Sequence, residues 1–193
     1  MDFLGRFKDR IGENRKVDTY TDSISSLSSA YISLKNKLNL KSTGRSAICI
    51  KNADYKLFTD MVEEINRFLD ARKLDFELVY RTAIDQYNCL WFIIVGKTLE
   101  DVLAATISVS DTIELRGFSD ELLVCMFDFN DDDLVQYLIY SYKLHKFYPF
   151  VPTGKQQNKR DHSQELKIMA AVENEIPFES DMSNWYPIWD VPN

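Results

Sequence analysis

Four stretches of the chain carry apolar residues at intervals of three and four positions. The first of them contains Ile24, Leu27, Tyr31, Leu34 and Leu38, a spacing that lines one face of an α-helix. The pattern therefore predicts four amphipathic helices, which we place at 22–38, 54–71, 98–116 and 164–174.

The third predicted helix has the clearest end signals. Thr98 followed by Asp101 resembles a capping box, in which each side chain accepts a hydrogen bond from the other residue's backbone. Gly117 stands where a left-handed residue commonly closes a helix. We therefore expect this helix to begin next to Thr98 and to end just before Gly117.

The segments between the helices show strand patterns. Apolar and charged residues alternate from Phe76 to Thr82, which is typical of a half-exposed strand, whereas Cys89–Val95 is apolar on both faces, as in a central strand. Lys41 to Arg45 has the composition of a turn. The hairpin across 121–144 requires an antiparallel pair. The predicted strands lie near 46–51, 76–83, 88–95, 121–129 and 134–144.

These elements predict an α+β fold in one domain, with a mainly antiparallel sheet of about five strands flanked by helices. We place this domain at 22–175. We expect residues 1–21 to form a short amphipathic segment and linker, in which Phe3, Leu4 and Phe7 are candidates for contact with a membrane or a partner. The alternative is a frayed terminus or a strap on the domain.

Residues 176–193 are too aromatic for a disordered tail, so we expect an extended tail packed on the domain.

Charge and hydropathy narrow the class of protein. The net charge of −7 argues against a nucleic-acid binder that neutralises phosphates, and against a protein that coats an anionic membrane with its whole surface. The longest apolar run, Cys89–Val95, is far shorter than the roughly 20 residues that span a bilayer. The N-terminus has too few apolar residues for a signal peptide. We expect a cytoplasmic protein.

The sequence contains no clear catalytic or metal-binding motif. Cys49, Cys89 and Cys125 are widely spaced and lie in strand-like runs, so we expect buried structural thiols and no metal. A thiol- or metal-dependent hydrolase that uses Cys125 with His145 stays open as an alternative, and it requires an exposed thiol with a base within reach. No glycine-rich phosphate loop occurs, and we expect no cofactor.

An aromatic stretch, Gln136 to Gly154, is the most unusual part of the chain. Pro149 and Pro152 favour an extended backbone there. Aromatic side chains on such a segment either close the core or serve as anchors for a partner. The candidate partner-binding residues in this stretch and in the tail are Phe147, Tyr148, Pro149, Phe150, Trp185, Tyr186 and Trp189.

Several segments together resemble one family. LIYSYKLHKFYPFVPTG resembles the Y-K-x-x-x-FYPF-x-P segment of the PspA-associated PspAB family, and ENEIPFESDMSNWYPIWDVP resembles its Trp- and Pro-rich ending. SDTIELRGFSDELLVCMFDF, DQYNCLWFIIV, STGRSAICI and the opening MDFLGRF are similar to further segments of that family, in the same order. The chain departs from the pattern at Ser28, Ser42 and His162, where Pro, Pro and Asn are expected.

The resemblance implies a cytoplasmic accessory of PspA, the membrane-remodelling coat protein of a phage-shock-type envelope stress response. It implies action by protein–protein binding and no known catalytic residues. A peripheral membrane protein that binds through residues 1–11 remains the third alternative.

Overall fold

The computed structural model describes residues 19–131, 134–153, 159–189 and 191–192. The predicted contact residues Phe3, Leu4 and Phe7 lie outside these ranges. The helices are α1 (Thr19–Leu38), α2 (Lys56–Phe76), α3 (Leu99–Leu115) and α4 (His162–Val172). The strands are β1 (Lys41–Lys51), β2 (Val79–Ile84), β3 (Cys89–Val95), β4 (Leu122–Asn130), β5 (Val135–Ser141) and β6 (Lys146–Phe150).

The strands form one antiparallel sheet in the order β2-β3-β1-β4-β5-β6. The α+β prediction is thus confirmed, with six strands rather than about five. Of the helices that the structure describes, none is both long enough and apolar enough to cross a membrane.

The additional strand comes from the aromatic stretch. The chain turns after Ser141, with His145 at a positive φ of 53°, and returns as β6, which pairs Tyr148 with Ile139. The backbone N–H of Phe147 points away from β5 and donates to the carbonyl of Pro177 at 2.8 Å. Pro149 lies two residues later and has the same outward orientation, so its missing N–H breaks no bond to β5. The prediction of a single strand over 134–144 is therefore wrong at its C-terminal end, because β5 ends at Ser141.

The turn predicted at Lys41 to Arg45 is also wrong, because these residues are the first half of β1. Pairing with β4 is interrupted between Ser42 and Ser46, and Gly44 has φ +70° within this irregular stretch. The Gly44 carbonyl accepts a hydrogen bond from the N–H of Gly96 at 2.8 Å. The serine and glycine that indicated a turn instead form a bulge in a long strand.

The predicted ends of α3 are confirmed. Thr98 and Asp101 form a reciprocal capping box. At the other end Gly117 has φ +84° and donates to the Glu114 carbonyl, while Phe118 donates to the Ile113 carbonyl. These two bonds constitute a Schellman motif. Both ends of the helix that crosses the sheet are thus fixed by local sequence.

The two faces of the sheet are covered differently. The helices pack on one face and enclose the larger core, which includes Phe92, Phe127 and Tyr140. The opposite face carries a second apolar cluster. Residues 178–189, the C-terminal covering segment, cover this cluster through buried Trp185 and partly buried Ile188 and Trp189. The predicted aromatic C-terminal tail is therefore packed on the domain as an extended segment.

Candidate functional site

A cavity of about 370 Å³ lies between the sheet and this C-terminal segment. Cys49, Cys89 and Trp91 form its floor, and the aromatic side chains of Tyr148 and Trp189 line its walls. We call this cavity the tail pocket. Its lining residues lie on five strands, in the β2–β3 turn and in the C-terminal segment, which are far apart in sequence. The pocket therefore forms only in the folded chain.

Strand register places the floor residues together. On the antiparallel pair β1 and β3, Cys49 is directly opposite Trp91, and Lys51 is opposite Cys89. Side chains two residues apart on a strand share a face. Cys89 and Trp91 therefore point to the same face as Cys49, and Cys89 is the diagonal neighbour of Cys49.

Asp85 closes the hairpin between β2 and β3 beside these thiols. Its Oδ1 accepts hydrogen bonds from the backbone N–H groups of Tyr87 at 2.8 Å and Cys89 at 2.9 Å. Its Oδ2 accepts one from the indole Nε1–H of Trp91 at 2.8 Å. The carboxylate is thereby held in one orientation at the edge of the pocket.

Two thiols and one carboxylate converge at this point. The Sγ atoms of Cys49 and Cys89 and a carboxylate oxygen of Asp85 all lie within 4.8 Å of one another. Burial raises the pKa of both thiols, and the charge of Asp85 raises them further. Burial also acts to raise the pKa of Asp85, but the hydrogen bonds from Trp91, Cys89 and Tyr87 outweigh it, so the net pKa is lowered.

Sequence reasoning missed this cluster. Cys49 and Asp85 are 36 positions apart, and no short motif joins them. The pairing of β1 with β3 brings them together. The sequence shows only that Asp85 and Cys89 are close together across a predicted hairpin turn. This spacing indicates a site only once the register of β1 and β3 is known.

Buried contacts hold the C-terminal segment over the pocket. The Nε1–H of Trp185 donates to the Glu179 carbonyl at 2.8 Å, and its ring meets that of Phe178 edge to face. The ring of Trp189 likewise meets Phe150 edge to face, with centroids 4.9 Å apart. These contacts fix the segment on both sides of Tyr186.

An ion pair also anchors this segment. The Nε–H of Arg160 donates to both carboxylate oxygens of buried Glu165, at 2.8 and 3.0 Å. Its Nη1 donates to the Trp185 carbonyl at 2.7 Å and its Nη2 to the Pro149 carbonyl at 3.2 Å. The guanidinium thereby connects α4, β6 and the segment that covers the pocket.

The structure divides the predicted partner-binding residues into two groups. Phe147, Tyr148, Pro149, Phe150 and Trp185 are buried, and for these five side chains the alternative that they close the core accounts for their position. Tyr186 is 63% exposed and Trp189 is half-buried. Direct contact with a partner therefore stays a prediction for Tyr186 and Trp189.

The hydrolase alternative required an accessible thiol at Cys125. Cys125 has no exposed surface and lies on the helix-covered face, where burial raises its pKa to about 12. His145 is exposed in the turn between β5 and β6. The pair therefore lacks the activated, accessible nucleophile that this mechanism needs.

Comparison with known proteins identifies the family of the chain. The family model for PspAB, PspA associated protein B, matches residues 1–193. No curated protein and no solved structure gives a match. The match covers the tail pocket, the Arg160–Glu165 pair and the aromatic stretch. The chain belongs to the PspA associated protein B family.

Proposed function

We propose that this protein is a non-enzymatic cytoplasmic accessory that binds PspA during the envelope stress response, and that it does so with the surface around the tail pocket. The family description, PspA associated protein B, supports PspA as the partner. The observation that carries the choice of surface is the group of exposed apolar side chains at the mouth of one cavity.

Three side chains define this surface. Tyr87 is 74% exposed, Tyr186 is 63% exposed, and Leu123 is also exposed. All three line the tail pocket, although they come from the β2–β3 turn, the C-terminal segment and β4. Tyrosines beside a pocket are favourable anchors, because they bury a large apolar area and lose little conformational entropy.

The surface is pre-organised. Tyr186 follows buried Trp185 directly, and Trp189 packs on Phe150 three residues later. The backbone that carries Tyr186 is thus fixed before a partner arrives. Little ordering entropy is then lost on binding, which favours affinity.

Co-precipitation of PspA with the purified chain tests the proposal. We expect Tyr87→Ala and Tyr186→Ala each to weaken binding by about 30-fold, which corresponds to a hot-spot loss of about 2 kcal/mol. Ile32→Ala is the matched control, because Ile32 is also 63% exposed but lies on α1, away from the pocket.

Two results would contradict the proposal in different ways. If the wild-type chain does not retain PspA at all, the partner is wrong. If Tyr87→Ala and Tyr186→Ala retain PspA as well as the wild type and the Ile32→Ala control do, PspA binds at another surface. Trp185→Ala is unsuitable for this experiment, because Trp185 is buried and its loss would disturb the fold.

A further inference from the structure

We propose that Cys49, Asp85 and Cys89 form a binding site for a divalent cation of the zinc class at the floor of the tail pocket. The proposal is independent of PspA binding, because it concerns the isolated chain and is measured by metal binding alone.

The spacing of the ligand atoms is the first argument. The two Sγ atoms and the carboxylate oxygen lie within 4.8 Å of one another. In a tetrahedral zinc site, bond lengths of about 2.3 Å to sulfur and about 2.0–2.2 Å to oxygen separate neighbouring ligand atoms by about 3.5–3.8 Å. Side-chain rotations that move these atoms by a fraction of an ångström to about one ångström therefore suffice to bring all three ligand atoms into contact with one ion.

The chemistry of the donors selects the metal. Two sulfur donors favour zinc and similar soft or borderline ions over magnesium and calcium, which take oxygen ligands. On binding, two metal–sulfur bonds form and both thiol protons pass to solvent. The bound ion then has two thiolates and one carboxylate as ligands.

The surroundings of Asp85 fit a metal ligand. An ionised carboxylate has about four lone-pair positions. Three of them are used by the N–H groups of Tyr87, Cys89 and Trp91, which leaves one on Oδ2. The indole of Trp91 orients the carboxylate, as the hydrogen-bond partners of metal ligands commonly do.

The pocket supplies access and a fourth position. Cys49 is buried, whereas Asp85 and Cys89 are partly exposed, and all three line the same cavity. Three protein ligands beside a cavity resemble zinc sites that keep one coordination position open for water or another ligand.

A disulfide between the same cysteines is disfavoured by the strand register. Cys49 and Cys89 are diagonal neighbours rather than a directly opposed pair, and diagonal neighbours are about 7–8 Å apart. Disulfides usually span Cα separations of about 4.4–6.8 Å. A metal ion between the two sulfurs needs less movement of the backbone than a direct bond.

Cobalt(II) titration of the full chain, freed of metal with a chelator and kept reduced, tests the proposal. Cobalt reports on its ligands, because thiolate coordination gives a charge-transfer band in the near ultraviolet. We expect one cobalt ion per chain with this band, and displacement of cobalt by zinc. Cys49→Ser and Cys89→Ser should abolish the band and weaken cobalt binding by at least about 100-fold.

Two further variants act as controls. Cys125→Ala should retain the full band, since Cys125 lies on the opposite face of the sheet. Trp91→Phe keeps all three ligands but removes the donor to Asp85, so we expect about 10-fold weaker binding. If a cysteine variant fails to fold, the cobalt affinity of Trp91→Phe still tests the proposed site.

Four outcomes would overturn the proposal. They are the absence of cobalt binding, cobalt binding without the thiolate band, an unchanged band in the Cys49→Ser/Cys89→Ser double variant, and unchanged cobalt affinity in Trp91→Phe. Absence of cobalt binding, with a Cys49–Cys89 disulfide found by mass spectrometry after mild oxidation, would replace the metal site with a redox pair.

Discussion

Arg160 and Glu165 form a charged pair inside the protein, with Nε and Oε1 2.8 Å apart and no exposed surface on Glu165. The same carboxylate accepts the backbone N–H of Val151 at 2.9 Å. Because Arg160 also donates to the carbonyls of Pro149 and Trp185, this pair connects β6 with the covering segment. Loss of one partner would leave an uncompensated charge and free carbonyl groups in the interior.

Arg160→Ala is therefore expected to lower the free energy of unfolding by about 3–5 kcal/mol. Arg160→Lys should also destabilise the protein, because an ammonium group cannot reproduce the planar array of donors. Urea denaturation measures both effects. Lys97→Ala is the control, since its pair with Glu77 is well exposed and should contribute at most about 1 kcal/mol. If Arg160→Ala and Lys97→Ala lower the free energy of unfolding equally, the buried Arg160–Glu165 pair contributes no more to stability than an exposed pair.

The neighbours Trp185 and Tyr186 should respond very differently to alanine substitution. Trp185 is buried with its indole N–H bonded, whereas Tyr186 is exposed. We expect Trp185→Ala to lower the free energy of unfolding by about 3–5 kcal/mol and Tyr186→Ala to change it by at most about 0.5 kcal/mol. Chemical denaturation measures stability, and limited proteolysis should cut the covering segment faster in Trp185→Ala. A stable Trp185→Ala protein would show that this segment does not contribute to the core.

Asp128 should make stability depend on pH. Burial raises its pKa to about 6 from an ordinary value of 3.8, although Arg45 at 2.7 Å acts in the opposite direction. The folded chain therefore binds this proton more tightly than the unfolded chain. The resulting stabilisation is complete below about pH 4 and is lost as pH rises through about 6, which amounts to about 3 kcal/mol.

Asp128→Asn provides the comparison, because asparagine resembles the uncharged form at every pH. We expect the stability of Asp128→Asn relative to the wild type to increase by about 3 kcal/mol between pH 4 and pH 7. Urea denaturation at several pH values measures this difference. Parallel stability curves for the two proteins would show that Asp128 has no shifted pKa.

Two glycines with positive φ should differ in their tolerance of alanine. A Cβ on Gly44 would lie 2.3 Å from the Gly96 carbonyl oxygen, whereas a Cβ on Gly117 would meet nothing within 4 Å. We expect Gly117→Ala to lower the free energy of unfolding by about 1 kcal/mol, from backbone strain alone. Gly44→Ala adds a backbone clash and should cost about 2–5 kcal/mol. Thermal unfolding compares the two, and equal melting temperatures would argue against the close approach of β1 and Gly96.

The sequence alone determined the features that depend on near neighbours. Apolar spacing located the four α-helices in the part of the chain that the structure describes, and the chemistry of Thr98, Asp101 and Gly117 located both ends of α3. The uninterrupted apolar run Cys89–Val95 identified a central strand, which β1 and β2 flank in the sheet. Periodicity and capping act over a few residues, so they can be read from one chain.

Only the tertiary structure decided the features that depend on pairing between distant segments. The composition of Lys41 to Arg45 predicts a turn, but these residues belong to β1 because this part of the chain pairs with β4. The aromatic residues of β6 are buried because α4 and the covering segment close over that edge of the sheet. Cys49, Asp85 and Cys89 meet because the register of β1 and β3 aligns them. The order and register of strands arise from long-range packing, and no local pattern in the sequence specifies them.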